Sequence, residues 1–152
     1  MKRTLEIVLA YLPAIALMAV IFYFSAQTGE QSTLLSDGVV GAAYGEDMIG
    51  TEFLTVIVRK GAHFAEYALL GGLIYLANRR VMSHKKDGIR VLAALGASAV
   101  YALSDEIHQF FVPGRACMAS DVLIDSLGAL FGIMLLKIIF AVINKFKNER
   151  KK

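Results

Sequence analysis

A single cysteine, Cys117, serves the whole 152-residue chain, so no internal disulfide forms and no CxxC or Cys/His spacing marks a zinc site. Nucleophile-elbow, P-loop and HExxH patterns are missing too, which leaves the readily recognised hydrolase, nucleotide-binding and metalloprotease classes without support. There is no internal repeat and no low-complexity tract. Tryptophan is absent and only 19% of residues are charged, against 57% apolar and a mean hydropathy of +0.57. That balance is too oily for an ordinary soluble domain of this length and points to one compact membrane domain over residues 1–152.

The net charge of +3 does not indicate nucleic acid, because of where the charges lie. Lys2 and Arg3 precede the first apolar run. Arg79, Arg80, Lys85, Lys86 and Arg90 form a central group, and Lys145, Lys147, Arg150, Lys151 and Lys152 close the chain, so that twelve of the sixteen basic residues sit in three short segments. This is the bias of cytoplasmic loops, and such clusters also suit anionic lipid headgroups.

Ile7 to Phe24 is an almost unbroken apolar run of eighteen residues, close to the ~20 needed to cross ~30 Å of hydrocarbon. A cleaved signal peptide is the rival reading, but the run is long for one and Phe22-Tyr23-Phe24-Ser25 offers no small-x-small cleavage site. Apolar length predicts further spans at 61–77, 89–104 and 122–142. The expectation is therefore an all-α, polytopic protein with four transmembrane helices. Basic residues put both termini and an inner loop, 78–90, in the cytoplasm. An outer loop, 25–58, and the segment 105–121 then face outward. The outer loop carries Glu30, Asp37, Glu46, Asp47 and Glu52, with no Lys or Arg before Arg59. Its length predicts a short helix or re-entrant lid, and Phe53, Leu54, Val56, Ile57 and Val58 suggest an interfacial helix ahead of the second span.

Polar groups interrupt this oily chain at one level. Arg59, His63, Glu66 and Tyr67 are spaced i, i+4, i+7 and i+8, on one helical face bordered by Lys60. Asp105, His108 and Gln109 share another face, with Glu106 pointing elsewhere, and Pro113-Gly114 stops the helix. Asp121 and Asp125 open the fourth span one turn apart, and Gly128 and Gly132 continue their stripe with the spacing that lets helices approach closely. All three faces belong to the outer end, so His63, Glu66, Asp105, His108, Arg115, Asp121 and Asp125 are expected to share a cavity. An ionised group at mid-membrane costs on the order of 2.5–3.5 kcal/mol even on the cheapest scale, which makes such a cluster a functional candidate. Architecture offers a competing account. Asp121 can cap the fourth helix, Arg115 and Lys137 can snorkel, and His63–Glu66 and Asp105–Arg115 can be structural pairs.

The segments Phe24-Ser25-Ala26-Gln27-Thr28-Gly29, Arg59-Lys60-Gly61-Ala62-His63-Phe64-Ala65-Glu66-Tyr67 and Asp105-Glu106-Ile107-His108-Gln109-Phe110 resemble the VanZ-like family of bacterial membrane proteins. So do Pro113-Gly114-Arg115 and Asp121-Val122-Leu123-Ile124-Asp125-Ser126-Leu127-Gly128. The resemblance implies a small multi-pass protein of the bacterial cytoplasmic membrane, and the name-giving member is linked to resistance to the glycopeptide teicoplanin. Asp125 departs from the pattern, which has Asn at this place, so a family role does not transfer to it.

Three mechanisms follow. In the first, the outward cavity binds an anionic envelope lipid, a lipid-linked cell-wall precursor or the glycopeptide itself. Lys60 and Arg115 hold phosphate, while Gln109, Tyr67, Glu106, Asp121 and Asp125 take hydroxyl or amide groups. In the second, an intramembrane enzyme uses His108 as general base oriented by Asp105, Glu66 or His63 as acid, and Arg115 against developing negative charge. A divalent metal on His63, Glu66, His108 and a carboxylate is a variant of this, not favoured because the spacing lacks a zinc motif. In the third, the chain is a structural or regulatory partner with Gly128 and Gly132 as a helix–helix contact face. No polar path continues to the inner half, which argues against a channel.

Overall fold

Apolar runs this long satisfy their own backbone groups only as helices, and the computed structural model, which describes residues 2–44 and 51–150, is built on helices alone among those residues. They are α1 (Lys2–Ser25), α2 (Gly29–Tyr44), α3 (Thr51–Val81), α4 (Asp87–Phe110) and α5 (Ala119–Glu149). Among the described residues three helices, α1, α4 and α5, are long and apolar enough to cross a membrane. The helix α3 falls outside that set because Glu52, Arg59, Lys60, Glu66, Arg79 and Arg80 dilute its apolar stretch. Its 31 residues nevertheless extend ~46 Å, and its most extensive packing is along α5.

Several sequence expectations change here. The second span, expected at 61–77, is the middle of a helix that begins at Thr51, so Phe53–Val58 is its first part and not a separate interfacial helix. The expected outer loop 25–58 contains the whole of α2 as well. Glu30 and Asp37 lie on α2 and Glu52 on α3, while Glu46 and Asp47 lie outside the described residues. The inner loop 78–90 shrinks to a turn between Val81 and Asp87. The physical reason is the same each time: a helix facing its neighbours tolerates polar side chains, so apolar length alone trims it too early.

Tyr67, Leu70, Ile74, Ala102 and Ile133 form the centre of the core. The helices α3 and α5 meet backbone to backbone. A Cβ on Gly128 or Gly132 would collide with the carbonyl of Phe64 or Ala68, and one on Gly71 would lie 2.6 Å from the Ala129 carbonyl. The face of Gly128 and Gly132 is thus occupied by α3 within the chain. Around this core Leu92, Val100, Leu103, Leu123 and Leu127 are exposed, an apolar surface suited to lipid.

Both ends of the bundle are polar, in different ways. Tyr11 on α1 donates to Asn78 Oδ1 near the end of α3 (2.6 Å), and Asn78 Nδ2 donates to the Arg90 carbonyl on α4 (3.0 Å). Lys137 Nζ pairs with Asp87 Oδ2 at 3.1 Å, and Tyr75 OH donates to Asp87 Oδ1 at 2.9 Å. Lys137 therefore does not simply snorkel. The described residues of the three basic segments gather at this end. The second polar cluster lies at the opposite end.

Candidate functional site

Four helices bring the second cluster together. The i, i+4, i+7, i+8 face of α3 supplies Arg59, His63, Glu66 and Tyr67, and Lys60 borders it. The last two turns of α4 supply Asp105, Glu106, His108 and Gln109, the first turns of α5 supply Asp121 and Asp125, and α1 ends here with Ser25. Lys60 reaches Asp121 and His63 reaches Asp125 between α3 and α5, and Arg115 joins Arg59 and His63 in lining the same space. The convergence expected from the shared level in the sequence therefore occurs.

The individual roles differ from expectation. Lys60 pairs with Asp121, and Asp121 does not cap α5. The N-cap is Met118, and its backbone N–H donates to Glu106 Oε2 (2.8 Å), so a buried α4 carboxylate supplies the cap from across the loop. Gln109 Nε2 donates to Asp105 Oδ2 (3.2 Å). His108, expected as a base oriented by Asp105, stacks on Phe22 with ring centroids 4.5 Å apart. The imidazole that faces open space is His63, whose Nδ1 lies 3.8 Å from Asp125 Oδ1. The expected Asp105–Arg115 pair is replaced by bonds to Phe24 at the end of α1 and to Gln27 just beyond it. Arg115 Nε donates to the Gln27 carbonyl (3.2 Å) and Nη2 to the Phe24 carbonyl (3.4 Å).

Two cavities open into this cluster. One, of about 200 Å³, lies under α2 and is lined by Ser25, Ser32, Ser36, Val58 and Glu66 among others. The other, of about 370 Å³, lies between α3 and α5 beside Lys60, Met118, Asp121 and Asp125. Arg59, His63 and Arg115 line both and form the wall between them. Tyr67, Asp105, Glu106, His108 and Gln109 line neither and stand behind that wall.

Hydrogen-bonding capacity is underused here. Nine buried side-chain atoms among the described residues have no partner, and all belong to this end: Ser25 Oγ, Arg59 Nε, His63 Nδ1, Tyr67 OH, Asp105 Oδ1, Glu106 Oε1, His108 Nε2 and both oxygens of Asp125. Leaving one such group unpaired costs about 1–3 kcal/mol, so this end of the bundle is less fully satisfied than its core. A metal is a poor fit. No group of three or more His, Cys, Asp or Glu side chains has metal-holding geometry among the described residues, and His108, one of the expected ligands, stacks on Phe22.

Arg59 Nη2 donates to Thr33 Oγ1 on α2 (2.6 Å), and among the described residues neither Arg59 nor Arg115 has a carboxylate within ion-pair distance. Burial, and after it the Arg59 charge, push the pKa of Arg115 below its ordinary value. Two half-buried guanidiniums that repel one another suit an anion placed between them.

A model of the VanZ/LLP1 family matches residues 10–140 of the chain. The chain belongs to the VanZ/LLP1 family. No curated protein and no solved structure matches it. The match begins in α1 and ends in α5, so it takes in both cavities of this VanZ/LLP1 protein and every residue of the cluster. The segments that carry the resemblance in the sequence meet in space. Phe24–Gly29 supplies the carbonyls that hold Arg115, and the Gly29 N–H donates to the Pro113 carbonyl at 3.1 Å. Arg59 and Gln27 are the residues that sequence reasoning passed over as site members. The helical face shared with His63 was the available signal for Arg59, and its place in the Phe24–Gly29 segment was the signal for Gln27.

Proposed function

We propose that this VanZ/LLP1 protein crosses the bacterial cytoplasmic membrane four times with both termini inside. In this reading its outer end binds an anionic envelope lipid or lipid-linked wall precursor, which contributes to teicoplanin tolerance. The observation that carries the binding role is the pair of guanidiniums, Arg59 and Arg115, on the wall common to two cavities with no carboxylate partner among the described residues. Guanidinium forks match phosphate oxygens bidentately, and partial burial strengthens the attraction. The fourth crossing is α3: it is long enough, lies along α5, and keeps its mid-helix charges Arg59, Lys60 and Glu66 partly buried. Clustering of the basic segments at the opposite end supports the orientation.

A second reading is favoured by His63 alone. An imidazole beside a buried carboxylate and open to both cavities has the placement of a general base, so the outer site can also modify its ligand. Mass spectrometry of envelope lipids and wall precursors separates the two. Cells expressing the native protein, Arg115→Ala or His63→Ala are compared with cells lacking it, alongside their teicoplanin susceptibility. Binding predicts lost tolerance in Arg115→Ala at unchanged membrane abundance, with no new lipid species in any strain. A covalently altered species that disappears in His63→Ala establishes the enzyme. Full tolerance in Arg115→Ala overturns the anion site.

A further inference from the structure

A third hollow extends the series of cavities toward the lipid. A groove of about 580 Å³ between the end of α1 and α2 is lined by Tyr23, Ala26, Gln27, Gln31, Leu34 and Leu35. Gln27 and Leu35 also line the cavity under α2, whose far wall is Arg59, His63 and Arg115. One path thus leads from the groove, past Gln27 and Leu35, to both guanidiniums. The groove is outward-facing and apolar: Tyr23 is 67% exposed, Leu34 65% and Leu35 54%. It flanks the end of α1, a helix long and apolar enough to cross a membrane, so it opens sideways at the boundary of hydrocarbon and headgroups.

From this arrangement we infer that the ligand of the Arg59–Arg115 site is a phosphate-bearing lipid that enters laterally between α1 and α2. Its chain lies along Tyr23, Leu34 and Leu35 and its phosphate reaches the guanidiniums. The inference rests on the proposed anion site and adds to it the lateral route and the place of the lipid chain. Every methylene lifted from hydrocarbon into water opposes binding, and a side entrance leaves the chain in an apolar medium while only the headgroup moves. The gate is built to respond. Arg115 donates to the Gln27 carbonyl over 3.2 Å and to the Phe24 carbonyl over 3.4 Å, long bonds that a phosphate on Arg115 replaces with charge-assisted ones. The roof, α2, is held from the other side by Arg59 on Thr33 (2.6 Å) and by Thr55 on Asp37.

The full chain in maltoside micelles, which contain no phosphate, is irradiated with phosphatidic acid carrying a diazirine on its acyl chain, and the adducts are mapped by peptide mass spectrometry. Adducts are expected on the peptide containing Tyr23 or on Leu34–Leu35. Labelling should fall at least about tenfold both in Arg59→Gln/Arg115→Gln and in Leu35→Trp, which fills the threshold, with helicity by circular dichroism unchanged. Labelling kept in Leu35→Trp but lost in the arginine variant leaves the anion site standing and overturns the route. Labelling kept in both variants overturns both. Equal labelling by a diazirine diacylglycerol shows that phosphate is not read, and overturns the inference. Inorganic phosphate competing as well as unlabelled phosphatidic acid assigns the site to free phosphate, and overturns the lipid route.

Discussion

Arg115 sits between two obligations: it ties the loop after α4 to the last turn of α1 through the Gln27 and Phe24 carbonyls, and it faces both cavities with its charge uncompensated by an ion pair. Removing it as Arg115→Ala should cost about 1–3 kcal/mol from the lost carbonyl bonds. Arg115→Lys should keep the charge, lose the fork and retain only part of the teicoplanin tolerance; thermal melts and susceptibility assays read the two effects separately. At Gly132 the issue is steric. Gly132→Ala places a methyl against the Ala68 backbone carbonyl and should destabilise the protein by about 1–3 kcal/mol, whereas Gly96→Ala, with nothing within 4 Å, should be neutral or slightly stabilising. Melting of both variants in detergent checks this, and equal melting temperatures would refute the close α3–α5 contact. The Gly128–Gly132 spacing was legible because it depends on one helix alone. The partners of Arg115 were not, since they are carbonyls 88 and 91 residues away.

At the scale of elements, the loop between α4 and α5 is organised by two unlike devices. Glu106 caps α5 from α4 through the Met118 N–H, and Gly114, at φ 73°, turns the chain so that its carbonyl meets Gly29 at the start of α2. Only glycine fits on either side of that approach. Glu106→Ala should cost about 1 kcal/mol, the usual worth of a cap, and should raise amide hydrogen exchange in residues 116–121 before the rest of α5. Exchange unchanged there would show that the cap is not used. Gly29→Ala should push α2 off Gly114 and open it to limited proteolysis, because its Cβ meets backbone and not a flexible side chain. A helix somewhere in 25–58 was expected from length alone, and α2 fills that expectation. The continuity of α3 from Thr51 was hidden because Arg59 and Lys60 divide the apolar residues Phe53–Val58 from the span that follows, and apolar length alone reads two segments there.

For the whole molecule, the proposed orientation makes a direct prediction about the one cysteine in the chain. Cys117 is exposed on the loop at the end where the two cavities open, so an impermeant maleimide added to intact cells should label the native protein. In a Cys117→Ser background, Ser83→Cys, in the turn between α3 and α4, should be labelled only after the membrane is permeabilised. The reverse pattern would invert the protein and move the guanidinium pair to the cytoplasm. By itself the sequence determined the membrane character, the helical class, the family resemblance and the level at which the polar residues lie. Each of these follows from local properties: apolar run length, helical periodicity and the order of short motifs. Only the tertiary structure decided that His63 and not His108 faces the cavities, that Glu106 caps α5, and that Arg59 joins Arg115 on a shared wall. Those outcomes depend on which helix lies beside which, and on the rotation of each about its axis, quantities set by backbone contacts such as Gly132 on Ala68 that no single helix encodes.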